Sequence, residues 1–200
     1  MARSKPANRT RGDEGRTGTS APAEDAPQLL TRHGWTILAH PLFLGQLSRL
    51  AAASAAEQRA PETGRHGPNT KLLAHVIDLA FDTIPRGPGQ RMFRQGGTLG
   101  AKRTHWFRAK TGNGRFRLFF RYHSAAKLIV LAWINDRESL RTYGSPTDAY
   151  HVFGKMLDAG NPPDSWEALL EAAQSTASVE QLNEFVQRFP HPDGVSFGDT

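Results

Sequence analysis

The chain has 200 residues, 38% hydrophobic and 22% charged, with a formal net charge of +6, which is enough for one domain with an ordinary core. Having no cysteine, it is closed to disulfides, thiolate catalysis and cysteine–zinc sites. No apolar run approaches the roughly 20 residues a membrane-spanning helix needs, and no apolar stretch follows the basic N-terminal residues, so a cytoplasmic location without a secretory signal is expected.

Residues 1–32 are rich in Arg, Gly, Thr, Ala and Pro with almost nothing large and apolar, and they read as a disordered extension. A folded domain is expected over 33–174. Trp35 to His40 alternates like a short strand. Pro41 suits the first position of a helix, where its missing N–H costs nothing; Leu42, Phe43, Leu47 and Leu50 carry that helix toward Ala60, and Pro61 to Pro68 break it. A second helix fits Thr70 to Ile84, with Leu73, Val76, Ile77, Ala80, Phe81 and Ile84 as its apolar stripe and Asn69 or Thr70 as its cap. Pro85-Arg86-Gly87-Pro88-Gly89 ends it, and a loop runs to about Lys102. Gly96, Gly97 and Gly100 lack any phosphate-loop or dinucleotide spacing and read as loop glycines.

Three strands follow, Trp106 to Thr111, Arg115 to His123 and Lys127 to Ile134. Asn113-Gly114 between the first two is a strong hairpin signal, because a tight turn needs positive φ at both residues. The third is a near-continuous apolar run, as a central strand buried on both faces would be. Helices are expected over Thr147 to Ala159, stopped by Gly160, and over Ser165 to about Ala173. Residues 175–200 read as an acidic extension holding one amphipathic turn around Val179, Leu182, Phe185 and Val186.

Charge is unevenly spread. No Asp or Glu lies between Asp82 and Asp136, a stretch that holds Arg94, Arg108, Lys110, Arg115, Arg117 and Arg121 among other cations. From Asp158 onward acids stand against Arg188 alone. With Asn113-Gly114 as the turn, Lys110 faces Arg117, Arg108 faces Phe119 and Trp106 faces Arg121. Phe107, Ala109, Thr111, Phe116, Leu118, Phe120 and Tyr122 then share the other, apolar face. A basic sheet face interleaved with Trp106 and Phe119 suits RNA, since cations hold phosphates and rings stack on bases; the alternative is cross-strand packing of Trp106 on Arg121 with the arginines solvated. A further reading has the acidic end, 156–200, folding back over the basic face as a partial mask.

Several segments together resemble the YhaV family of type II toxins, within the RelE/ParE superfamily. They are Gly34-Trp35 with Leu38-Ala39-His40-Pro41-Leu42-Phe43, then Lys71-Leu72-Leu73-Ala74, Phe93-Arg94 with Leu99-Gly100, and Arg115 to Tyr122. The most specific is Trp133-Ile134-Asn135-Asp136, Leu140-Arg141-Thr142-Tyr143-Gly144 and Thr147 to Phe153, continuing through Lys155-Met156-Leu157, Gly160, Pro162-Pro163, Trp166-Glu167 and Leu169. The match runs in order over about 34–172. The resemblance implies an α+β, RelE-like fold: a small antiparallel sheet with two N-terminal helices packed on one face, plus C-terminal helices. It also implies messenger-RNA cleavage tied to the ribosome, and a PrlF-type, AbrB-like antitoxin that brings the pair to operator DNA.

Nucleases of the RelE type need no metal: the RNA's own 2′-hydroxyl attacks the neighbouring phosphate. Lys110, a lysine among arginines, is the candidate general base. Arg117, with Arg108 and Arg121, would clamp phosphate; Arg141 would bind the phosphorane and Tyr143 would exchange protons. Arg94, Trp106, Arg108, Arg115, Phe119 and Arg121 are the expected RNA-binding residues. Each has a structural alternative, the strongest being an ion pair of Arg141 with Asp136 or Asp148. Asn135 and Asp136 are expected to hold a turn, His40 to pack or cap, and His105 to rank below Lys110 as an acid–base group. His33, His66, His75, His123, His151 and His191 show no metal-ligand spacing, so neither metal nor cofactor is expected. Two other classes stay open, a basic non-catalytic inhibitor and a nucleic-acid-binding subunit active only with its partner.

Overall fold

The computed structural model describes residues 27–59 and 67–190. Most of the expected disordered extension, the 60–66 break and the polar tail from 191 lie outside them. Folded backbone begins earlier than expected, because Thr31–Arg32 already forms a strand, β1, that pairs with β2 (Trp35–Ala39). Helix α1 follows at Pro41–Arg59 and α2 at Pro68–Asp78. The helical path then continues through a wide turn, Leu79–Thr83, so the expected stripe reaches Ile84 as read. Neither Asn69 nor Thr70 caps α2 with its side chain. Their backbone N–H groups donate to the Glu57 carboxylate of α1, each at 3.0 Å. Burial opposes ionisation there, but these bonds hold the Glu57 carboxyl below its ordinary value.

The hairpin strands are β3 (Phe107–Thr111) and β4 (Phe116–His123), and the central strand is β5 (Leu128–Ile134). Asn113 and Gly114 have φ of 52° and 74°, as the turn chemistry requires. The register is the expected one, Lys110 opposite Arg117 and Arg108 opposite Phe119. The sheet order is β1-β2-β5-β4-β3. It is mixed rather than purely antiparallel, since β2 and β5 run parallel.

Each face has its own core. On the first, α1, α2 and α5 (Thr176–Arg188) cover Ile37, Leu118, Phe120, Ile129 and Leu131. The C-terminal segment is thus a 13-residue helix, longer than the single turn expected, and it sends Leu182 and Phe185 into this core. On the second, α3 (Ala149–Asp158) and α4 (Trp166–Gln174) cover Leu38, Trp106, Phe119, Val130 and Trp133. A bulge shifts the β4–β5 register between Phe119 and Phe120, which puts Ala132 and Trp133 on the same face despite being adjacent. Phe153 of α3 stacks on Phe119 at 4.1 Å and on Trp133 at 5.5 Å.

Candidate active site

The loop leaving β5 is fixed to the hairpin by its own side chains. Asn135 Oδ1 accepts from Arg117 N–H at 2.5 Å, and its Nδ2 donates to Ser139 O at 2.8 Å. Asp136 Oδ1 accepts from the N–H groups of Glu138 and Ser139, so both residues hold the turn, as read. The N–H of Arg141 then donates to Arg115 O at 3.0 Å, which seats Arg141 beside the hairpin.

Asp148, almost fully buried, closes the loop and caps α3. One oxygen accepts from Tyr150 N–H at 3.0 Å; the other accepts from Thr142 N–H at 2.7 Å and from the Arg141 guanidinium. The ion pair of Arg141 with Asp148 is therefore present. It leaves the planar guanidinium lying over two rings, Tyr143 at 5.3 Å and Tyr150 at 5.1 Å.

Two further arginines reach Tyr150. Arg108 Nε donates to its hydroxyl at 2.9 Å, and Arg108 Nη1 donates to Met92 O at 2.5 Å. The Arg117 guanidinium lies 5.9 Å from the ring centre. Arg117 is only 6% exposed; its Nη1 donates to Gly114 O and Phe116 O, and its Nε has no hydrogen-bond partner among the described residues. Lys110 is exposed directly across the hairpin from Arg117. Tyr143 is 92% exposed. Arg117, Tyr150, Arg141 and Tyr143 thus meet in turn at the margin of the second face, and Lys110 extends the row as the register partner of Arg117. A cleft of about 500 Å³ opens beside it, lined by Arg141, Tyr143, Asp148, Tyr150, His151 and Lys155 among others. A larger hollow, about 640 Å³ between α1 and α5, is lined by none of these residues.

Other expected site residues go elsewhere. Trp106 and Phe119 are both 0% exposed, so neither can stack on a base; α3 lies over them and makes them core. Arg121 is half-buried between the rings of Trp106 and Trp166, 5.6 and 5.3 Å away, and its Nη1 donates to Asp164 O at 2.8 Å. Burial lowers its pKa. It packs against the tryptophans in the way the alternative reading held, outside the Tyr150 cluster. Arg94 and Arg115 are exposed on the surface, Arg94 bridged to the edge of β3 at Phe107.

His105 is tied to Asp164 at 2.9 Å, and the same carboxylate accepts from Trp106 Nε1 at 2.7 Å and Arg103 Nε at 3.3 Å. Burial works against ionisation of Asp164, yet these donors hold its carboxyl below the usual range. Arg103 also pairs with Asp158 at 2.7 Å, which raises its pKa further. Of the acidic end, Asp158 and Asp164 thus meet Arg103, His105 and Arg121, whereas α5 packs on the first face and Lys110 stays exposed; residues 191–200 lie outside the described residues. Among the described residues no three His, Asp or Glu side chains gather as a metal would need, and no helix is long and apolar enough to cross a membrane.

Tyr150, His151 and Lys155 line the site but were read only as helix residues. Their clue was position, since Tyr150 and His151 lie in the Thr147 to Phe153 run that carries the most specific resemblance.

Comparison with known proteins gives the family. A family model described as a toxin with endonuclease activity, of a toxin–antitoxin system, matches residues 37–174. Two relatives from Escherichia coli, Toxin YhaV of strain O6:H1 (CFT073) and Ribonuclease toxin YhaV of strain K12, are each 43% identical over 154 residues, 76% of this chain and 99% of the relative. The solved toxin–antitoxin complex RelBE2 of Mycobacterium tuberculosis overlays on 52% of this chain and 91% of its own, at 20% identity and a TM-score of 0.34, too loose to bear on the site. The chain belongs to the YhaV family of toxins with endonuclease activity, one half of a toxin–antitoxin system.

Proposed function

We propose that the chain is a cytoplasmic messenger-RNA endonuclease that acts on or with the translating ribosome, inhibiting translation and growth. A PrlF-type, AbrB-like antitoxin neutralises it and carries the pair to operator DNA. The observation that supports this best is the row Lys110, Arg117, Tyr150, Arg141 and Tyr143, in which cations from two strands and a loop converge beside an open cleft. The ribonuclease activity named for the K12 relative supports RNA as the substrate.

The residues of that row supply what cleavage by the RNA's own 2′-hydroxyl requires. Arg108 and Arg117 hold the phosphate next to the attacked bond, since guanidinium stays charged and grips phosphate with a planar fork. Lys110, exposed beside Arg117, takes the proton from the 2′-hydroxyl as its oxygen bonds to phosphorus. The extra negative charge on the five-bonded phosphorus falls to Arg117 and Arg141. Tyr143 gives a proton to the departing 5′-oxygen as its bond to phosphorus breaks. The products are a 2′,3′-cyclic phosphate and a 5′-hydroxyl. Exposed Arg94 and Arg115 extend the cationic track along the RNA backbone.

The test is growth after induction of this chain alone, with mapping of new 5′ ends on cellular messengers. The reading expects arrest with new in-frame cuts bearing 5′-hydroxyls inside translated regions, and rescue by a co-expressed AbrB-like partner. Arrest without new cuts would instead establish a non-catalytic inhibitor.

A further inference from the structure

Tyr150 has no part in the proton transfers above, yet it meets a guanidinium from each of three elements: Arg108 of β3, Arg117 of β4 and Arg141 of the loop after β5. Three like charges gathered in one place repel one another. Asp148 pairs with Arg141, and the carbonyls of Gly114 and Phe116 hold Arg117; Tyr150 meets all three, in two ways. Its hydroxyl oxygen takes the Arg108 Nε hydrogen at 2.9 Å. Its ring presents π density near Arg117 and Arg141, which offsets part of their repulsion.

The ring is itself fixed. Tyr150 is 8% exposed, its N–H is bound to Asp148 Oδ1 at 3.0 Å, and it stands edge-on to Phe119 at 5.4 Å. Phe119 is in turn stacked under Phe153. The second core therefore ends in a tyrosine whose position is set by packing, and the three guanidinium groups are spaced around it. Small errors in such spacing matter, because a displacement of about 1 Å can cost roughly 100-fold in rate.

We propose that Tyr150 is a positioning residue that sets Arg108, Arg117 and Arg141 as one phosphate-gripping cluster. The proposal rests on the reading of the site given above and deepens it.

Two variants separate the roles of the hydroxyl and the ring. Tyr150→Phe keeps the ring and removes the acceptor of Arg108; Tyr150→Leu removes both. The readouts are single-turnover cleavage of a short 5′-labelled messenger, with and without ribosomes, and equilibrium binding of the same RNA carrying 2′-deoxy sugars so that it cannot be cut. Cleavage is expected to fall about 10-fold in Tyr150→Phe and about 100-fold in Tyr150→Leu. Binding stays within about threefold of wild type, because every cation is still present. Loss of folded protein would lower both readouts by the same factor, and that result in Tyr150→Phe would overturn the proposal.

A cycle with Arg108→Ala completes the test. Acting through Arg108, the hydroxyl has nothing to lose once Arg108 is gone, so Tyr150→Phe adds no further defect in that background. An equal defect in both backgrounds would overturn the role of the hydroxyl. Wild-type cleavage by Tyr150→Phe and Tyr150→Leu, with Arg108→Ala impaired, would overturn the positioning role alone. Wild-type cleavage by Arg108→Ala would remove the reading of the site, and the positioning role with it.

Discussion

The two faces of the sheet bury comparable strands under different chemistry. Under α1, α2 and α5 the core is almost wholly aliphatic and phenylalanine. Under α3 and α4 the core is a stack of Trp106, Phe119, Trp133, Phe153 and Tyr150, and arginines stand at its margins. The first face holds the sheet together. The second also aims charged groups, because a guanidinium laid on a packed ring has a fixed place that a solvated one lacks.

The sharpest way to break this comparison is to treat the second face as an open surface. Were it one, Phe119→Ala would cost little. As a core residue between Phe153 and Trp133, Phe119 should cost about 3–5 kcal/mol when truncated, measured by urea unfolding. That is comparable with Phe120→Ala on the first face.

Two titrating groups sharpen it further. His40, where β2 turns into α1, is buried with its Nδ1 accepting from Leu42 N–H at 3.2 Å, and burial pushes its pKa down to about 4. The unfolded chain therefore binds one more proton than the native one between pH about 6.5 and 4. Stability is full above that window and falls as pH drops through it, by about 3 kcal/mol in all. His40→Asn keeps an acceptor for Leu42 without titrating, so the part of the slope that belongs to His40, largest between pH about 6.5 and 5, should vanish in unfolding curves taken across that range.

Asp164, which ties Arg103, His105 and Trp106 to the start of α4, acts in the same sense at lower pH. Its native pKa is depressed, so its contribution is present above about pH 4 and lost as pH falls through the lower native value. It is partly exposed, so the effect is the smallest of the set. Asp164→Asn should lower stability at neutral pH and flatten the acid limb of the same curves; an unchanged acid limb would show that the clasp adds nothing.

Much of the fold was legible because local rules agreed. The Asn113-Gly114 turn fixed the hairpin register through its φ requirement, and the helical stripes from Phe43 to Leu47 and from Leu73 to Ile84 matched their buried faces. The parallel β2–β5 pairing was not legible, since nothing local encodes which distant strands meet. Nor was the bulge beside Trp133, because a run apolar on both faces hides its own register. Trp106 and Phe119 misled for a related reason. Alternation assigns residues to a face but does not say what covers it, and the arginines between them made a second core look like open surface. The site was legible as an inventory of basic residues and Tyr143. Its organising residue was not, because Tyr150 looks like any aromatic on a helix stripe until the loop from Asn135 to Asp148 brings Arg141 against it.

The most direct test is to replace Lys110 and Tyr143 together with alanine. Both are exposed, so the variant should melt as the wild type does. It should lose cleavage of programmed messenger by at least about 100-fold and no longer arrest growth. A variant that melts normally and still cuts at the wild-type rate would contradict the placement of the chemistry at this margin.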